Sequence, residues 1–163
     1  MCWLGLDPGS RKAGYAVLEM GADGRPRYRE CGQLTSSHEQ LALRLLEIGR
    51  GLQELLDEYH PVAAAVEDVF SAINSRSALV LGQARGMALF VLASSDVEVV
   101  SYTPGHVKKA ITGQGRAAKL QVRRSMMHLL HLQSEPAEDA ADALALAYCH
   151  SMHARRAIKG VNS

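Results

Sequence analysis

Two aspartates, Asp139 and Asp142, stand three residues apart in the stretch from Ser134 to Tyr148, "SEPAEDAADALALAY", which otherwise reads as an Ala/Leu helix. At 3.6 residues per turn they share a face. Like charges on one side of an apolar helix cost stability unless something positive meets them. Glu135 and Glu138 have an ordinary account as first-turn acids facing the helix dipole. Asp142 lies deeper, and its neighbours Ala140, Ala141, Ala143, Leu144, Ala145 and Leu146 offer no base. Two further acids close short apolar runs: Asp7 ends "CWLGLD" before Pro8-Gly9, and Glu67 ends "PVAAAVE". Taken singly, Asp7 reads as a turn-former and Glu67 as a solvated strand end. If the first and fourth strands are neighbours and the last helix packs across their ends, all four acids converge. Magnesium or manganese would then relieve the repulsion, because hard divalent cations prefer oxygen ligands. Two such ions about 4 Å apart form a clamp for in-line phosphodiester hydrolysis. No Cys/His ligand pattern competes in the sequence.

The net charge of +1 conceals a sharp asymmetry. From Pro104 to Ser134 the chain holds Lys108, Lys109, Arg116, Lys119, Arg123 and Arg124 without one Asp or Glu, and the acidic cluster follows at once. A basic stretch beside an acidic cluster suits a polyanion held next to a metal site, and a solvated helix face is the plainer account.

These residues need a scaffold. A chain of 163 residues, 47% hydrophobic and 21% charged, reads as one globular domain over 1–153 with a basic C-terminal tail over 154–163. "MCWLGLD", "AGYAVLEM" and "RPRYRECGQL" predict an antiparallel meander joined by the turns "DPGSRKAG" and "GADGRP". Leu41, Leu45, Ile48, Leu52, Leu55 and Tyr59 mark the stripe of an amphipathic helix. "PVAAAVE" and "VEVVSYT" are further strands, with a helix from about Ser77 to Ala93 between them. Thr103-Pro104 caps a short helix that ends near "GQG". Ala117 to about Leu132 forms another helix, and a last one starts near Ser134 with Pro136 in its first turn. This order predicts an α/β fold, a five-stranded mixed sheet with helices on both faces. No stretch suggests a signal peptide or an uninterrupted membrane span. Cys2, Cys31 and Cys149 are odd in number and scattered, as reduced thiols of a cytoplasmic protein would be.

"GLDPGSRKAGYAV", "VEDVF", "NSRSALVLGQARG", "GQGRAAKLQV" and "DAADALALAYCH" occur in the order and at the spacing of a known family. From Leu4 to about His150 the chain resembles the RuvC family of bacterial crossover-junction endodeoxyribonucleases, the Holliday-junction resolvases. The resemblance implies an RNase H-like fold, a homodimer, and Mg2+-dependent cleavage of four-way DNA junctions by paired symmetric nicks. Mn2+ is an alternative ion, with one or two ions per subunit. It further implies work in recombination and repair beside a branch-migration helicase complex of the RuvA/RuvB type. Asp7, Glu67, Asp139 and Asp142 fall on the family's four acidic positions, Lys119 on a lysine assigned to catalysis or phosphate contact, and Lys108 on a basic position near DNA. Phe70 matches an aromatic that presses on bases at the junction, where stacking is worth roughly 1–3 kcal/mol; a loop anchor tucked into the core is its plainer account. Three positions depart from the family pattern: Asp68 stands where a neutral residue is expected, and Ile73 and Val80 are apolar where polar or basic side chains are expected.

A four-way junction has near two-fold symmetry, which two active sites related by a C2 axis would match. The helix "SALVLGQARGMALFVLASS" is apolar beyond one stripe, with Gly82 and Gly86 four apart. It suits either a close partner helix or full burial within one subunit. His128, His131, His150 and His153 read as surface or core histidines, and His106 as a residue of the basic segment within reach of phosphate. Three competing functions stay open: another RNase H-like nuclease acting on hybrids or flaps, a non-catalytic junction binder, and a nucleotide-dependent phosphotransferase suggested by "DPGS".

Overall fold

Alternation in the first strand sets the architecture. In β1 (Cys2–Asp7), Leu4 and Leu6 point to one face of the sheet and Trp3 and Gly5 to the other, as the period of two requires. The computed structural model describes residues 1–68 and 74–161. β1 pairs antiparallel with β2 (Lys12–Met20), and β2 pairs antiparallel with β3 (Pro26–Thr35) across a bulge at Val17/Leu18. After α1 (Leu41–Tyr59) the chain returns as β4 (Ala63–Glu67), parallel to β1 on its free side. Then α2 (Ser75–Ser94) leads to β5 (Glu98–Tyr102), parallel to β4. The sheet order is β3-β2-β1-β4-β5, so the first and fourth strands are indeed neighbours.

Three helices complete the chain: α3 (Pro104–Thr112), α4 (Lys119–Leu129) and α5 (Glu138–Val161). α1 and α2 cover the face bearing Leu4, Leu6, Val17, Ala64 and Val66. α5 lies across the other face over Trp3, Ala16, Leu18, Ala63 and Ala65. Its buried side is rich in alanine (Ala140, Ala141, Ala143, Ala145 and Ala147), and the strands beneath carry glycine, so helix and sheet backbones touch. A Cβ on Gly5 would stand 1.9 Å from the Ala143 carbonyl oxygen, and one on Gly14 would stand 2.0 Å from that of Asp139. Both glycines are close-approach residues.

Several expected boundaries shift. The last helix begins at Glu138, leaving Ser134, Glu135 and Pro136 in the segment before it, and its backbone runs on through Val161, past residue 153. α4 starts at Lys119 instead of Ala117, without a side-chain cap from Ala118, and stops at Leu129. Thr103 caps α3 as expected, its hydroxyl accepting from the His106 amide. Full burial of α2 is overturned: only Ala84, Ala88 and Leu92 are buried, while Leu79 and Phe90 are 64% and 72% exposed. By length and composition alone α2 is long and apolar enough to cross a membrane, although Gln83 and Arg85 interrupt its apolar run. Its apolar residues are spread around the axis, as expected of a helix apolar beyond one stripe. Its middle is nonetheless tied to the sheet, where Arg85 donates to the Glu67 carbonyl (3.3 Å) and to Ser101 Oγ (2.8 Å).

Candidate active site

One row of residues crosses the whole sheet. Asp7 pairs with Gly14 and Gly14 with Gln33. Leu6 pairs with Val66, which sets Asp7 beside Glu67 at the carboxyl ends of two parallel strands, and Glu67 pairs with Tyr102. By strand alternation Asp7 and Glu67 lie on the face that α5 covers. The Asp139 backbone rests directly on Gly14, and Asp142 follows one turn on. Four carboxylates separated by up to 135 positions in the chain therefore meet where β1 and β4 end under the start of α5.

Their mutual field is plain in the ionisation of Asp7. Burial first, then Glu67, Asp142 and Asp139, push its carboxyl from 3.8 up to about 7, with Lys119 acting against the shift. Glu67 is also raised, by burial and then Asp142, while Lys119 and Lys108 oppose. Lys119 Nζ donates to Asp142 Oδ2 (3.0 Å) and to Glu138 Oε1 (2.9 Å), and these partners hold its ammonium well above the usual lysine range. Gln33 Nε2 donates to Asp139 Oδ2 (2.6 Å), which fixes that carboxylate. One lysine cannot balance four carboxylates. The donor set is all oxygen, partly exposed and convergent, which suits a hard divalent cation.

The basic residues divide. Lys119 and Lys108 act on the acids directly. Lys109, Arg116 and Arg124 are exposed nearby on the segment from α3 to α4. Arg123 turns instead to Glu135, an ion pair (Nε–Oε1 2.8 Å) lying off the hydrogen-bond direction. Asp68 faces Arg85 at 3.9 Å, so a base answers its charge. Val80 is half-buried on α2. Phe70 and Ile73 fall outside the described residues.

Two residues of the site went unnoticed in the sequence. Gln33 carries no signal of its own in "ECGQL"; only the strand register, which aligns it with Gly14 and Asp7, reveals it. Arg85 had a signal, a base in the middle of an apolar helix, which is seldom left without a partner. The histidines split as well. His128 and His131 are an exposed ring pair with centroids 6.4 Å apart. His150 is buried, its Nδ1 2.9 Å from the Tyr102 hydroxyl. The view that no cysteine stands at ligand spacing to a histidine is overturned by Cys149 and His153, which are one helical turn apart and in contact.

Comparison with known proteins agrees with this geometry. The profile of the family described as "Crossover junction endodeoxyribonuclease RuvC" matches residues 3–150. A relative of that name from Hahella chejuensis is 44% identical over 160 residues, covering 98% of this chain and 92% of the relative. Another from Alkalilimnicola ehrlichii is 47% identical over 147 residues, covering 90% of this chain and 88% of the relative. The Thermus thermophilus RuvC in complex with Holliday junction substrate superposes with a TM-score of 0.88 at 32% identity, covering 96% of each chain. The open mixed sheet, with five helices among the described residues, is accordingly an RNase H-like fold.

Proposed function

This chain belongs to the RuvC family of crossover junction endodeoxyribonucleases, and from that premise we propose that it resolves four-way DNA junctions by hydrolysing phosphodiester bonds at Asp7, Glu67, Asp139 and Asp142. The observation that carries this reading is the meeting of those carboxylates at the ends of adjacent parallel strands under the start of α5. RuvC nucleases are metal-dependent. The ion proposed here is Mg2+, replaceable by Mn2+, one or two per subunit; it would supply an activated water and charge neutralisation at the leaving oxygen.

The protein's own part follows from its geometry. Gln33 orients the Asp139 carboxylate. Lys119, already bound to Asp142, places an ammonium where charge develops on the scissile phosphate. Lys108, Lys109, Arg116 and Arg124 supply backbone-phosphate contacts that position the substrate without reading sequence, and Arg123 joins them where phosphate replaces Glu135 as its partner. Phe70 follows β4 by three residues in the chain and is assigned to the junction centre. The functional unit is a homodimer, supported by the exposed apolar face of α2. Family membership supports a RuvA/RuvB-type helicase partner, in the cytoplasm where bacterial DNA is processed.

A synthetic mobile junction incubated with the protein and Mg2+ should yield paired nicks placed symmetrically across it. A plain duplex, an RNA/DNA hybrid and a flap should stay largely intact. Preferential cutting of the hybrid or the flap, or a junction bound in single turnover and left whole, would overturn the assignment.

A further inference from the structure

Tyr102, at the far end of the carboxylate row, stands among three histidines from two helices. Its ring stacks on His153 with centroids 5.6 Å apart, lies 5.5 Å from His106, and its hydroxyl meets His150. His106 on α3 and His153 on α5 face each other through their Nε2 atoms at 3.3 Å. Cys149, one helical turn before His153 and fully buried, brings its Sγ to 3.9 Å from Nδ1 of that ring, on the side away from the Nε2 that faces His106. One ligand atom from each of the three lies within 4.8 Å of the others.

The ring of His153 is already oriented for coordination. Its Nδ1 donates to the Cys149 carbonyl oxygen at 2.9 Å, which leaves Nε2 with its lone pair toward His106. A metal-bound histidine almost always makes this arrangement with its second ring nitrogen. Two imidazole nitrogens sharing a tetrahedral Zn2+ at about 2.0–2.1 Å each would stand about 3.3 Å apart, the separation found here. The chemistry differs from that of the acidic site: two imidazoles and a thiol are borderline-soft donors that select zinc-class ions over magnesium.

We propose that His106, Cys149 and His153 bind a zinc-class divalent cation through His106 Nε2, Cys149 Sγ and His153 Nε2, with the fourth position open on the exposed His106 side. Binding replaces the thiol proton: the S–H bond breaks, the sulfur–metal bond forms, and the proton passes to solvent. The ion would tie α3, which carries Lys108 and Lys109, to the helix bearing Asp139 and Asp142. Its place is structural, and it does not depend on the reaction assigned to the carboxylates.

The test titrates Co2+ into the full chain in excess Mg2+, which occupies oxygen-only sites. One equivalent should bind with visible four-coordinate bands and a near-ultraviolet thiolate-to-cobalt charge-transfer band, and Zn2+ should displace it. Cys149→Ser should abolish the charge-transfer band. His106→Gln, at an exposed position where folding is not at risk, should weaken Co2+ binding at least tenfold and reduce the rise in Tm that Zn2+ produces. Cobalt bound without a charge-transfer band, or with equal affinity in wild type and His106→Gln, would reduce the cluster to a hydrogen-bonded ring pair and overturn the proposal.

Discussion

Asp7 shows how a residue suited to chemistry burdens the fold that carries it. Its carboxyl titrates near 7 in the folded, metal-free chain and near 3.8 when unfolded, so the folded state retains a proton that the unfolded state releases between those values. The resulting stability is fully present below the unfolded value and disappears as pH rises through about 7. In chelator, Tm should therefore fall from pH 5 to pH 8. Mg2+, which takes the place of that proton, should raise Tm increasingly over the same range. Asp7→Asn should flatten the metal-free slope and stabilise the chelated protein at pH 8 by on the order of 1–3 kcal/mol. It should also reduce junction cleavage at least about 100-fold while leaving binding largely intact, since phosphate contacts dominate affinity. Glu67→Gln should behave alike, because burial and Asp142 raise that carboxyl too. Nicking retained by either variant under matched Mg2+, or an Asp7→Asn protein less stable than wild type in chelator, would remove these acids from the reaction.

At the scale of elements, the decisive contact is α5 lying on glycine. Gly14 links both halves of the site: it pairs with Asp7 on one side and Gln33 on the other, and its bare Cα lets the Asp139 backbone settle there. Gly14→Ala must lift the start of α5, at a cost of about 1–3 kcal/mol by overpacking. The shift parts Asp139 from Gln33 and from Asp7, so metal-dependent stabilisation measured as ΔTm in Mn2+ should shrink beyond what the lost stability explains. An unchanged metal response would mean that the carboxylates do not depend on this packing. The sequence showed the acids and the strands clearly because Asp7-Pro8-Gly9 and the end of "PVAAAVE" are local punctuation. It did not show where α5 begins. Ser134 and Pro136 imitate a helix start, yet Glu135 is drawn to Arg123 and the first turn forms only at Glu138. Gln33 was hidden for a related reason, since its partner Asp139 comes from another element; Cys149 and His153 were legible as a pair one turn apart on α5, and only His106, from α3, was beyond any window of sequence.

For the whole molecule, the question is what covers α2. Leu79, Gly82, Gly86 and Phe90 fall within a narrow arc on one side of this helix, and the two apolar side chains are 64% and 72% exposed. A Cβ on either glycine would meet nothing within 4 Å, so the space above them is free for a partner backbone. The opposite side of the same helix is anchored by Ala88 and Leu92 in the core and by Arg85 on the Glu67 carbonyl. A partner docked on the outer side would thus press on the element that holds the end of β4, coupling assembly to one of the four acids. Leu79→Lys with Phe90→Lys places two ammonium groups on the apolar arc without touching the core. Dimer dissociation should rise by about 2 kcal/mol or more, some 30-fold in the dissociation constant. Sedimentation equilibrium reads that change directly. On a junction held at low protein concentration, the same variant should convert paired nicks into single, unsynchronised ones. A double variant that sediments as wild type does and still cuts both strands together would remove this face of α2 from the proposed dimer contact.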